Sequence, residues 1–155
     1  MFRFLSGILG RSQRENVRSV NANLTLVALV LDELDRALLS NLAAEHGWTI
    51  HFGRTREETW ELVNSTKAQI VLCERPRVGM DWRDVIRNMV SAPHLVCAIL
   101  ISKAMDNYLW NEVTMWGGHD VLAAPLREED VLRAIRLAWL YWNSASRNEA
   151  LSHSV

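Results

Sequence analysis

Apolar residues along this chain follow two rhythms, short continuous runs and stripes at helical spacing. The runs are Leu24 to Leu31 (LTLVALVL), Trp48 to Phe52 (WTIHF), Gln69 to Cys73, Leu95 to Ser102 (LVCAILIS) and Asp120 to Ala123. Each is strand-sized, so five strands are predicted. Runs that are apolar at every position belong to strands covered on both faces, as in a parallel sheet.

Between the runs the spacing changes. Leu34, Leu38 and Leu42, with Ala37 nearby, predict a first helix that ends at Gly47, the residue type expected just past a helix end. Thr55 is placed to cap a second helix over Arg56 to Asn64. Trp82, Val85, Ile86 and Met89 share one face of a third helix over Asp81 to Met89, with Arg83 and Arg87 turned to water. A fourth helix runs from about Asp106 to Trp116, before a Gly-Gly break. In a fifth, Arg127 to Trp142, the stripe is Leu132, Ile135, Trp139 and Trp142, and the first turn carries Glu128, Glu129 and Asp130 on the favourable side of the helix dipole. Five strands alternating with five helices give a (βα)5 sandwich whose parallel sheet is joined by right-handed crossovers.

One domain over 23–143 accounts for the pattern. Residues 1–22 mix Phe2, Phe4, Leu5, Ile8 and Leu9 with Arg3, Arg11, Arg14 and Arg18, but Gly7 and Gly10 interrupt any amphipathic helix, so a mobile arm is expected. The polar stretch 144–155 is expected to be a frayed tail. A chain of 155 residues needs neither disulfide nor metal for stability. Cys73 and Cys97 lie inside apolar runs and read as core packing in a reducing, cytoplasmic compartment. A net charge of -1 gives no electrostatic reason to expect nucleic acid, and no run approaches the roughly 20 apolar residues that span a bilayer.

The stretch Ala68 to Trp82 (AQIVLCERPRVGMDW) carries the chemistry. Its apolar run stops at Glu74, and ligands of open α/β sheets bind outside the carboxyl ends of the strands. Beside Glu74, Arg75 and Arg77 are either plain loop residues or a source of positive charge for that crevice. His46, His51, His94 and His119 fall in different elements without metal-ligand spacing, and neither a P-loop nor a GxGxxG occurs.

Three pieces of sequence resemble the receiver domain of two-component response regulators over Leu24 to about Trp142. They are GMD at 79–81 after the third strand, Ser102 closing the fourth, and GGHDVLAAP at 117–125 around the fifth. The resemblance implies a flavodoxin-like, doubly wound α/β fold with strand order 2-1-3-4-5. It also implies a site made of a phosphoacceptor Asp, an acidic pair that helps bind Mg²⁺, a hydroxyl residue, a Lys and an aromatic switch residue. This chain departs from that set. Glu74 stands at the phosphoacceptor position, Ala124 at the Lys position and Val121 at the aromatic position, while Ser102 supplies the hydroxyl. With Asp32 as the second acidic residue the first is Leu31; counted back from Gly47, Leu31 instead takes the main metal-ligand position.

Phosphoryl transfer rests on in-line positioning and on neutralising charge, so losing one cationic donor costs on the order of 3 kcal/mol in the transition state. Glu pushes the carboxylate outward, and a misplacement of ~1 Å already costs about a hundredfold. The expectation is a stand-alone, receiver-like signalling or adaptor protein, not an enzyme, that works through protein contacts without phosphorylation. The alternatives are a working response regulator that takes a phosphoryl group from a histidine kinase with Mg²⁺, and a small flavodoxin-like enzyme or cofactor binder. Glu74 is then a standing negative charge, a solvated strand-end carboxylate, or, with Asp32 and Glu33, part of a weak oxygen site for Mg²⁺ or Ca²⁺. No cofactor is required. Trp110, Trp116, Trp139, Tyr141 and Trp142 crowd the fourth and fifth helices, and their expected use is a partner or homodimer surface.

Overall fold

A computed structural model describes residues 23–75 and 81–153. Five strands, β1 Thr25–Leu29, β2 Thr49–Phe52, β3 Ile70–Glu74, β4 Cys97–Ser102 and β5 Asp120–Ala123, form one sheet in the order β2-β1-β3-β4-β5. Every pair is parallel. Five helices alternate with them: α1 Glu33–His46, α2 Arg56–Thr66, α3 Trp82–Val90, α4 Asn107–Met115 and α5 Glu128–His153. This is the doubly wound, flavodoxin-like α/β fold that the alternation and the resemblance imply.

Side chains alternate along each strand, so the sheet feeds two cores. On one face Leu26, Ala28, Ile70, Leu72, Ile99 and Ile101 pack under α1 and α5, joined by Leu39, Leu42, Val131, Ile135 and Ala138. On the other Val27, Val71, Cys73, Ala98 and Leu100 pack under α2, α3 and α4. Full burial of a Leu or Ile is worth roughly 1.5–3 kcal/mol, so these two layers dominate what holds the sheet rigid beneath the site.

Local signals set the element ends. The carboxylates of Asp32, Asp81 and Asp106 and the Thr55 hydroxyl accept backbone N–H bonds at the starts of α1, α3, α4 and α2. Gly47 ends α1 with φ 74°, a left-handed conformation that costs glycine nothing. At Gly118 a Cβ would lie 2.4 Å from Val113 Cγ1, so only glycine lets the chain turn from α4 into β5.

Four expectations change. α5 continues to His153 where a frayed tail was expected from residue 144. β1 stops at Leu29, because its pairing with β2 ends at Ala28 and with β3 at Leu29, and Leu31 is exposed. The buried positions of α1 are Asp35, Leu39, Leu42 and Ala43, while Leu34, one residue off the start of that stripe, is 82% exposed. Arg83 does not simply face water: it pairs with Asp81 and with Glu112 of α4 and lies over the Trp82 ring. The arm over 1–22, Arg77, and Gly79 and Met80 of the GMD motif lie outside the described residues.

Candidate functional site

The carboxyl ends of β3, β4 and β5 lie side by side, with Glu74 opposite Ile101 and Ser102 opposite Ala123. The ladder runs one step past the strands: the Arg75 amide donates to the Ile101 carbonyl at 2.8 Å and the Ala124 amide to the Ser102 carbonyl at 2.9 Å. These bonds fix the backbone at the rim of an open cleft of about 400 Å³ lined by Glu74, Arg75, Ile101, Ser102, Lys103, Ala104 and Ala124. Three of the residues singled out in the sequence, Glu74, Ser102 and Ala124, meet there, and so does Arg75.

Glu74 is neither a free solvated carboxylate nor aimed only at the cleft. Its Oε2 accepts the Leu31 N–H at 3.1 Å and its Oε1 the Asp32 N–H at 3.4 Å, so the side chain reaches across to the loop between β1 and α1. Asp32 is engaged as well: its Oδ1 accepts the Asp35 N–H at 3.0 Å as the cap of α1. Glu33 is exposed in the first turn. Among the described residues no three His, Cys, Asp or Glu side chains converge as metal ligands. With Leu31 in place of a carboxylate, this donor set does not fit the Mg²⁺ site that the fold implies.

The Ser102 hydroxyl is buried and donates to the Ala104 carbonyl at 2.8 Å, which ties it to its own loop. Val121 lies in the core under α4, among Leu109 and Val113, and offers no polar group to report on the cleft. Ala124, joined to Pro125 by a cis peptide, leaves space where the resemblance implies a long cationic side chain.

Two residues escaped the sequence reading. Lys103 lines the cleft from the residue after Ser102; its nearness to that hydroxyl was the available signal. Asp35 is 4% exposed, and its Oδ1 accepts the Leu126 N–H at 2.9 Å across 91 residues of sequence. Nothing local distinguishes it from an exposed first-turn acid.

The aromatic group divides. Trp110, Trp116 and Tyr141 are exposed, with Trp116 beneath Arg87 and Tyr141 against His119. Trp139 and Trp142 stack on one another and pack on the α1–α5 core, and Trp142 Nε1 donates to the Leu95 carbonyl at 2.7 Å. Those two serve the interior, because their side of α5 faces the sheet. Partial burial holds the His119 imidazole below its ordinary pKa, against an opposing pull from Asp120. Burial pushes the Cys73 and Cys97 thiols up to about 12, so both stay protonated in the core.

No family model and no curated protein matches the chain. Solved structures do. The signal receiver domain of an HD domain-containing protein from Pseudomonas fluorescens Pf-5 superposes with a TM-score of 0.69 at 20% identity, over 79% of this chain and 98% of that one. A CheY-like response regulator receiver domain protein from Methanospirillum hungatei JF-1 gives 0.68 at 10% identity, over 79% and 98%. The Vibrio cholerae chemotaxis protein CheY4 gives 0.66 at 12% identity, over 76% and 99%. These neighbours cover 76–79% of this chain with 98–99% of their own length, and likeness at such low identity is a likeness of fold. The chain has the receiver fold, in its CheY-like form.

Proposed function

We propose that this protein is a receiver-like signal transduction protein that acts through protein contacts and is not switched by phosphorylation of its β3 carboxylate. The observation that carries the reading is the placement of Glu74. Its two oxygens accept the Leu31 and Asp32 amides, so the group standing at the phosphoacceptor position already bridges β3 to the β1–α1 loop. In-line attack on a phosphoryl donor would turn one of these oxygens away from its amide, and position 124 carries no ammonium. The carboxylate supports a fixed shape of this rim, and Val121 supplies no aromatic group to couple the cleft to α4.

Contact with partners is supported by the exposed apolar side chains on α4 and α5. Tyr108, Trp110, Met115, Leu137, Leu140 and Tyr141 are each 47–82% exposed, and large apolar side chains of this kind are what interfaces bury. A signalling protein or a second copy of the chain would occupy that face.

The test is an intact-mass measurement after incubation with a small acyl phosphate and Mg²⁺, alongside light scattering. The expected result is no covalent phosphoryl adduct and an oligomeric state that does not respond to the donor. A stoichiometric adduct would overturn the reading.

A further inference from the structure

Helix α4 is lightly anchored. It has 9 residues and buries only Leu109 and Val113, whereas α3, also of 9 residues, buries Trp82, Val85, Ile86 and Met89. A helix of that length is marginal by itself, so its neighbours must place it. Beneath it, Leu109 and Val113 share a core with Val121, and apolar contact of this kind has no preferred direction.

The directed contacts run sideways to α3. Arg83 pairs with Glu112, and Cζ of Arg87 lies 4.4 Å from the centroid of the Trp116 ring. Positions 83 and 87 are one turn apart on α3, as 112 and 116 are on α4 and its cap, so the two contacts stand as successive rungs. Each arginine is steered by an acid close to it in sequence: Asp81 lies 3.2 Å from Arg83 and Asp84 3.9 Å from Arg87. Just past the rungs, a Cβ on Gly117 would press on Val90 of α3 at 3.2 Å, so the end of α4 is drawn close to that helix. The side chains of Arg83 and Glu112 are 35% and 38% exposed, within reach of dissolved ions. One such pair contributes little, a network contributes more, and both are screened by salt.

We infer that the two rungs form a salt-sensitive clasp that fixes α4 against α3 and so holds Tyr108, Trp110 and Met115 in one arrangement. The shape of that face is then set by charges within the chain, with no phosphoryl group needed. The inference rests on the reading of the chain as acting through contacts at α4 and α5 without phosphorylation, and it names what keeps the α4 part of that face in place.

The experiment is amide hydrogen exchange of the full chain, followed by NMR. Glu112→Gln removes the charge of one rung and keeps its shape; Arg87→Ala removes the other rung. Each should make the α4 amides exchange about three- to fivefold faster, the effect of one ion pair within a network, and leave the α1 amides at the wild-type rate. Raising the ionic strength from about 0.1 to about 1 M should speed the α4 amides of the wild type in the same way and those of Glu112→Gln far less. Arg133→Ala breaks a pair with Asp130 inside α5, and as the control it should leave α4 unmoved. Wild-type α4 exchange in both variants overturns the clasp, and so does a rise in α1 as large as that in α4. An intact-mass measurement after acyl phosphate and Mg²⁺ separates the two ideas. An adduct together with faster α4 exchange in the variants overturns the functional reading and keeps the clasp, whereas no adduct and unchanged exchange overturns the clasp alone.

Discussion

Two seams of this molecule are each closed by a carboxylate that accepts backbone amides, and they differ in everything else. At the seam between β3 and the β1–α1 loop, Glu74 takes two amides at 3.1 and 3.4 Å at a half-exposed rim. At the seam between α1 and the segment after β5, Asp35 takes the Leu126 amide at 2.9 Å in a buried setting. Water can replace the first set of bonds and cannot easily replace the second. The carboxylate at the conspicuous position thus shapes a rim, while an inconspicuous one locks the fold.

The sharpest way to break the contrast is Asp35→Ala. It strands the Leu126 N–H without water, and a loss of about 2–3 kcal/mol in unfolding free energy is expected from denaturant titration, with Asp35→Asn recovering part of it through its remaining acceptor oxygen. Glu74→Gln should cost about 1 kcal/mol or less, since water reaches the Leu31 and Asp32 amides; equal losses at the two positions would erase the distinction. The smallest effect belongs to His119, at a third, partly buried position. Its folded pKa lies below the unfolded value, so the unfolded chain binds the extra proton first. That contribution to stability is complete above the unfolded pKa, near 6.5, and is lost as pH falls through the folded value. His119→Gln should flatten this part of the stability profile and leave stability above pH 7.5 almost unchanged.

Much of the frame was legible because its signals are local. The strands announce themselves as uninterrupted apolar runs, and α3 shows its buried face outright in Trp82, Val85, Ile86 and Met89, all in the core. The cap at Thr55 and the stop at Gly47 follow from backbone chemistry alone, whereas Asp81, read as the first residue of α3, is its cap. The position of Glu74 followed from its strand end, and those of Ser102 and Ala124 at the same rim from the resemblance. What could not be read depends on partners distant in sequence. Leu34 sits at helical spacing but off the buried stripe of its helix, and Leu31 lies two residues past Leu29, the last paired residue of β1. Trp139 and Trp110 look alike in sequence, yet only the first is turned toward the sheet.

The bond between Asp35 and Leu126 has a consequence for the order of assembly. Each strand pairing closes a loop of about 20–45 residues, from Ile99 with Asp120 to Leu26 with Ile70, and over that range closure entropy differs by only about 0.7 kcal/mol. The sheet can therefore grow outward from β1 one neighbour at a time. The Asp35 contact spans 91 residues and awaits the turn after the last strand. A contact of that span is expected to form late, so Asp35→Ala should speed unfolding and leave refolding in stopped-flow at the wild-type rate.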